Sequence, residues 1–443
     1  MTRHAAIAPK DVHSTLARHM LVDGYPMVVD LVASRPQWVR DAVTGHDYLD
    51  FFSFFASNPL GINHPKLMDE ATKHRLLEAS INKVSNPDCY TAFFAEFVDV
   101  LGRTAGAPEL PHYFFIDGGG LAVENAMKTA FDWKVRKNMA AGRGQLGTRI
   151  LHFEHAFHGR TGYTLSVTNT DPVKTDYFPK FDWPRVPAPA LRFPLDAAAT
   201  AEVGEAEARS LAAIEAAFDR HPHDIAAILI EPIQAEGGDN HFRPELFRAL
   251  RKIADEREAM LIFDEVQTGL GITGKWWAWQ HHGVAPDAMC FAKKMHVGGI
   301  MVGRRVEEVA DHVFAKPSRI NSTFGANLVD MVRCTRVLEV IVEDNLLDNV
   351  TARGAELLAG LQGLAQRHPQ TLSNPRGQGV MCAIDVRDRA TRSAILERCY
   401  EAKMIVLPCG TRSIRFRPTL TVGADLVAEG LSRFERAVTG VEA

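Results

Sequence analysis

Between residues 68 and 327, short apolar runs alternate with longer segments of helical pattern, and this alternation restricts the fold more than any other feature of the chain. The runs lie at 113–116, 150–153, 226–230, 260–263 and 289–292. Runs so short and so apolar read as strands buried on both faces, which means a mostly parallel sheet covered by helices. The predicted fold class is therefore α/β: a large domain with a mostly parallel sheet flanked by helices, plus a smaller α+β domain. Residues 1–60 read as an N-terminal arm and part of the small domain, with short strands such as one at 39–43. The break Asn58-Pro59-Leu60-Gly61 marks its end. Residues 61–330 form the large domain in this reading and 331–443 the C-terminal small domain. Within them, 197–220 reads as a surface helix and 328–365 as one long helix or two. The stretch 172–195, rich in proline and aromatic residues, reads as a packed loop.

Composition narrows the function. The chain has 443 residues, 46% hydrophobic and 23% charged, an ordinary globular balance. A net charge of -4 gives no broad attraction to nucleic acid. The apolar runs are too short to span a membrane. Residues 1–10 have no apolar signal core, which predicts a cytoplasmic address. The six cysteines are scattered, with no CxxC pair, and read as reduced thiols rather than as a disulfide framework or a zinc site.

Reactive residue types collect just past the predicted strands. Ile116 is followed by Asp117-Gly118-Gly119-Gly120, Phe153 by Glu154-His155-Ala156-Phe157-His158-Gly159-Arg160, and Ile230 by Glu231-Pro232. Phe263 leads into Asp264-Glu265-Val266-Gln267, and Ala292 into Lys293-Lys294. Open α/β sheets bind ligands at the carboxyl ends of their strands. The glycines precede a helical pattern at Val123, Ala126, Met127, Ala130 and Phe131, so they either cradle a phosphate or make a tight turn. Asp264 ends an apolar run and needs a cationic partner: a pyridinium nitrogen, an arginine, or a metal shared with Glu265. The lysine pair is either solvated or, if buried, a source of neutral nucleophilic amine. The string His152, His155, His158 lacks an acidic or thiol companion, so no metal is expected there. Phe157 is placed to stack on a planar ring. Arg160, Arg415 and Arg417 are candidate carboxylate clamps.

Longer phrases carry a resemblance. They are Phe157-His158-Gly159-Arg160-Thr161-Gly162-Tyr163-Thr164-Leu165-Ser166, Phe178-Pro179-Lys180-Phe181-Asp182-Trp183-Pro184-Arg185 and Glu231-Pro232-Ile233-Gln234-Ala235-Glu236-Gly237-Gly238-Asp239. Asn321-Ser322-Thr323-Phe324-Gly325 and Ile414-Arg415-Phe416-Arg417-Pro418 complete the set. In these, over nearly its whole length, the chain resembles the class III, fold-type I pyridoxal-phosphate aminotransferases that act on terminal amines.

The resemblance implies a role for each matching position. Lys294, four residues before Gly298-Gly299, becomes the Schiff-base lysine, with Lys293 its neighbour. Asp264 holds the pyridine nitrogen and Gln267 lies near the ring hydroxyl. Val266 and Phe157 cover the two ring faces, and His158 joins the cofactor-binding set. Gly119 and Gly120 bind the phosphate. Ser322 and Thr323 reach the phosphate of a partner subunit, so a homodimer with shared active sites is implied. Arg415 binds the α-carboxylate of 2-oxoglutarate, and Glu236 masks it while the amine donor is bound. Arg160 holds the distal carboxylate, assisted by Asn321. The implied reaction moves the terminal amine of L-lysine to 2-oxoglutarate, with 4-aminobutyrate or ornithine as alternative donors. Gly120, Ala292, Met295-His296 and Phe324 depart from the family's usual wording and bear on the donor rather than on the cofactor.

Overall fold

The computed structural model describes residues 7–442. The first six residues, on which the leader-peptide reading partly rests, lie outside the described residues. In chain order the strands are β1 (Trp38–Arg40), β2 (Asp47–Asp50), β3 (His112–Ile116), β4 (Arg149–Phe153), β5 (Arg185–Val186), β6 (Ile225–Ile230) and β7 (Met260–Asp264). They continue with β8 (Ala288–Phe291), β9 (Gly298–Val302), β10 (Leu372–Gln378), β11 (Met381–Val386), β12 (Met404–Ile405), β13 (Leu407–Cys409) and β14 (Ser413–Phe416).

The large sheet has seven strands in the order β3-β9-β8-β7-β6-β4-β5. Strands β4 to β8 pair in parallel, so their carboxyl ends share one edge. All five expected strands are present, each within a residue or so of its expected bounds. Two strands were not expected: β5, which pairs with β4 from within the stretch 172–195 read as a loop, and β9, antiparallel to both β3 and β8. The second explains Gly298 and Gly299. A Cβ on Gly298 would lie 2.4 Å from the Ile116 carbonyl oxygen, and one on Gly299 2.5 Å from that of Phe114. These glycines let β9 pack against its neighbours.

Each face of the sheet is covered by helices, as its apolar strands require. The helix Gly119–Ala140 lays Ala122, Val123, Ala126, Met127, Ala130 and Trp133 on one face, against Ile150, Leu229 and Ile262. Phe131, expected on the buried face, is only partly buried at its margin. The helix Pro244–Glu256 brings Leu246, Phe247 and Leu250 to the core that includes Leu261 and Phe263. Each such side chain contributes about 1.5–3 kcal/mol on burial. The helix expected at 197–220 is Ala197–Arg220, and the 328–365 pattern resolves into two, Leu328–Glu343 and Leu346–Arg367. Asn345, in the left-handed region, separates them.

Two smaller sheets flank this body. One has the order β10-β11-β14-β13 and carries Arg415 on β14. The other, β1-β2-β12, ties the N-terminal segment to the C-terminal third, because β12 runs parallel to β2. Among the described residues no helix is long and apolar enough to cross a membrane, and no three metal-ligating side chains converge. The cysteines are free, all buried except Cys89.

Candidate active site

The carboxyl edge of the large sheet encloses a cavity of about 470 Å³. Its wall includes Gly118, Gly119 and Gly120, Phe157 and His158, Glu231, Asp264, Val266 and Gln267, and Lys293. The strand ends therefore bring together the sequence-predicted residues Gly119, Gly120, Phe157, His158, Asp264, Val266 and Gln267. Gly118 has φ +90° and lets the chain turn sharply from β3 into the long helix. The first N–H groups of a helix lack intrahelical partners and are free to donate to an anion. Added side-chain atoms would close the cradle: a Cβ on Gly119 would lie 3.0 Å from Val266 Cγ1. The neighbouring Gly159 sits at φ +127°, with its Cβ position 2.8 Å from Gly120 Cα. Gly159→Ala is expected to cost about 1–3 kcal/mol through backbone strain and crowding. Thermal melting should show the loss, and an anion such as phosphate should stabilise the variant less than the parent.

Asp264 is 4% exposed at the end of β7. Its Oδ2 lies 2.8 Å from His158 Nδ1, and its Oδ1 accepts the Val266 N–H at 3.0 Å. His158 and the Val266 N–H thus partner the buried carboxylate, with no arginine contact among the described residues. His158 Nε2 is buried without a partner. Glu265 points elsewhere and accepts the N–H groups of Ala278 and Trp279. Burial raises its pKa to about 7. Sequence reasoning placed Glu231 at a strand's end but gave it no role. Its carboxyl accepts the N–H groups of Phe157 (3.0 Å) and Ala235 (3.1 Å). Burial, and then the charge of Asp264, push its pKa well above the usual range.

The lysine pair requires a correction. Lys294 was expected at the cofactor; the structure lines the cavity with Lys293 instead. The Lys294 amine turns away and donates to the carbonyls of Gln267 (2.7 Å) and Ala56 (3.3 Å). The physical reason is the backbone. Lys293 has φ +50°, a left-handed conformation that a lysine adopts only when its surroundings impose it. That twist sends the two neighbouring side chains in different directions. The Ala56 carbonyl is presented by a further left-handed turn, Ser53–Ala56, whose φ values run from 38° to 60°. Buried Asp50 holds this turn by accepting the N–H groups of Phe52 and Ser53. Burial, followed by the charge of Arg415, holds the Lys293 amine below the usual lysine range.

Gln267 links the cavity to a second cluster. Its Oε1 accepts from Arg415 Nη1 at 3.3 Å, and Arg415 Nη2 donates to Glu236 Oε2 at 2.7 Å. Arg415 and Glu236 are thus paired. Glu236 also binds a residue that no spacing rule could reach. Lys174, in the loop after Arg160, donates to Glu236 Oε1 at 2.6 Å. Burial raises the Glu236 pKa, but Arg415 and Lys174 outweigh it, and the net shift is downward. Arg160 is exposed beside the cavity, its guanidinium carbon 6.0 Å from the centre of the Phe157 ring. Arg417 is spent on Asp239 at 2.5 Å and on backbone carbonyls. Within this chain Asn321, Ser322 and Thr323 do not join the cavity. They occupy the loop before Leu328–Glu343, and Asn321 borders a separate hollow with Asn86 and Tyr113.

The residues present fit pyridoxal phosphate. The cavity supplies a glycine cradle at a helix start, facing side chains Phe157 and Val266, a buried carboxylate for a ring nitrogen, and a lysine amine. Comparison with known proteins agrees. The chain is 53% identical over 424 residues to an L-lysine-epsilon aminotransferase of Amycolatopsis lactamdurans, covering 95% of this chain and 94% of that one. It is 49% identical to the enzyme of the same name from Streptomyces clavuligerus, covering 98% and 95%. The solved lysine aminotransferase of Mycobacterium tuberculosis, in its internal aldimine form, superposes with a TM-score of 0.96 at 50% identity, covering 98% of this chain and all of that one. The class-III aminotransferase model matches residues 21–438. By cavity, by sequence and by fold, this chain belongs to the class-III aminotransferase family.

Proposed function

We propose that this protein moves the terminal amino group of L-lysine to 2-oxoglutarate, with pyridoxal phosphate held in the cavity at the carboxyl edge of the sheet. The observation that carries this reading is the Glu236–Arg415 pair at 2.7 Å, joined through Gln267 to the cavity that holds Asp264 and Lys293. The relatives of about 50% identity carry lysine in their names, which favours it over 4-aminobutyrate or ornithine as donor.

When bound, the cofactor supplies an aldehyde that carries the amino group between two substrates and a ring that withdraws negative charge. The chain's own groups do the rest. Lys293 is the nucleophile and the base: its lowered pKa keeps part of the amine unprotonated, able to attack a carbonyl carbon or take a proton from the donor's terminal carbon. Lys294 anchors that segment through the two carbonyls it binds. Asp264, oriented by His158, keeps a proton on the ring nitrogen. Phe157 and Val266 exclude water from the ring faces.

Two substrates must share one site. The donor brings an uncharged stem toward Arg415, and an unpaired buried guanidinium would then be costly. Glu236 neutralises it. The acceptor brings a carboxylate, and Glu236 must give way. Arg160 beside Phe157 then holds the carboxylate at the far end of either substrate, with Asn321 assisting. Ser322 and Thr323 lie outside the cavity of their own chain. They complete the phosphate site of a second copy in a homodimer.

A donor panel with 2-oxoglutarate tests the assignment. Lysine should exceed 4-aminobutyrate and ornithine in kcat/KM by about tenfold or more, the scale at which one well-placed ion pair discriminates. Either rival reaching parity overturns the lysine reading. Arg160→Lys should raise KM for lysine, because an ammonium cannot grip a carboxylate through two parallel bonds.

A further inference from the structure

A gate that swings leaves a charge behind. When Glu236 releases Arg415 to an incoming dicarboxylate, its own carboxylate stays in a poorly solvated place. It is 24% exposed and Arg415 is 2% exposed. Even a half-buried charge that loses its partner costs free energy, so free opening would penalise acceptor binding.

We propose that Lys174 is the second post of this gate: it retains the Glu236 carboxylate while Arg415 is given over to the acceptor, and so sets how readily the acceptor enters. The inference rests on the two-substrate reading of the site. The geometry separates the two bonds. Lys174 Nζ holds Oε1 at 2.6 Å while Arg415 holds Oε2 at 2.7 Å, so one can break with the other intact. The backbone beneath Glu236 is pinned. Gly410 N–H donates to its carbonyl at 2.8 Å, and Arg376 Nε donates to the Asp239 carbonyl at 2.9 Å. Opening is therefore a side-chain pivot about the lysine contact. Lys174 itself is fixed in the short turn Pro172–Lys174, which Asp171 caps by accepting the Val173 N–H. Its ammonium lies 5.4 Å from the centre of the Phe157 ring, beside the cavity.

The direction of the effect follows. In the closed state Glu236 has two cations, and losing Lys174 leaves it one. In the open state it has Lys174 alone, and losing that leaves none. Removing Lys174 therefore penalises the open state more and weakens dicarboxylate binding.

Glutarate, which has no carbonyl to react, is the probe. Calorimetric titration of the holoenzyme with glutarate should show Lys174→Met weakening binding by about tenfold, and Lys174→Arg by less than about threefold. In a Glu236→Ala background, Lys174→Met should change glutarate affinity by less than about twofold, because the carboxylate it serves is gone. KM for 2-oxoglutarate should rise in Lys174→Met while KM for lysine stays within about twofold. Equal weakening in both backgrounds would mean that Lys174 acts on the ligand or on the fold, and would overturn the proposal. So would undiminished affinity in Lys174→Met alone. Glu236→Ala by itself should bind glutarate more tightly than the parent. Failure to bind it at all would remove the acceptor reading and this inference together, whereas the donor's identity does not enter the measurement.

Discussion

With alanine at position 293, turnover should fall by at least about 10⁴-fold, the upper end of what one positioned base contributes, with the nucleophile lost as well. Borohydride reduction followed by peptide mapping should place the cofactor on residue 293 in the parent and on no lysine in the variant. Lys294→Met should behave differently. Its amine is spent on the carbonyls of Gln267 and Ala56, so its loss leaves two buried acceptors short of a donor. That should cost about 1–3 kcal/mol of stability and lower the melting temperature, while the cofactor still attaches at 293. The converse result, with attachment lost in Lys294→Met and kept in Lys293→Ala, would show that the left-handed twist at Lys293 has been given the wrong meaning. The two variants are adjacent in sequence and nearly equal in chemistry, so the comparison isolates side-chain direction.

That pair of residues shows where sequence reasoning reaches its limit. The apolar run 289–292 marks a strand, and its end marks reactive lysines. The family resemblance, matched against Gly298-Gly299, then selects Lys294. Spacing cannot register that φ at Lys293 is +50°, which turns the two side chains apart. The same glycines were legible as special but not as part of a strand. Their requirement comes from the Ile116 and Phe114 carbonyls of β3, far away in the chain. The parallel strands and the long helices were legible because burial on both faces, or on one, imposes a period on the sequence. Asp264, Phe157 and the glycine cradle were legible because each follows such a strand directly. Glu231 follows a strand too, yet its raised pKa depends in part on the nearness of Asp264, which is a property of the register between β6 and β7. Lys174 follows no strand at all. Only the fold brings its loop to Glu236, 62 residues on.

Removing the charge of Asp264 should produce the second large loss, and one confined to catalysis. Asp264→Asn keeps the size of the side chain and can still accept the Val266 N–H and meet His158. What disappears is the negative charge that holds a proton on the ring nitrogen. A preorganised charge of this kind is worth about 10²–10³-fold in kcat, and more where the site is dry. Asp264 is 4% exposed, so the larger end is expected here. The fold should not suffer in proportion. Asp264 is itself one of the causes that drive the Glu231 carboxyl upward, second only to burial. With asparagine at 264 the like-charge contribution vanishes, and the Glu231 pKa should fall part of the way back toward the ordinary range. An acid whose pKa is raised by folding destabilises the protein as pH climbs from the unfolded value to the folded one. Narrowing that gap should therefore leave the cofactor-free variant as stable as the parent or more so above the ordinary glutamate pKa, and unchanged below it. Melting curves without cofactor across that pH interval, set beside kcat, make the test. A variant that loses stability and activity together would mean that Asp264 serves the fold. One that keeps its stability and loses turnover would mean that the end of β7 carries a charge placed there for chemistry, at the fold's expense.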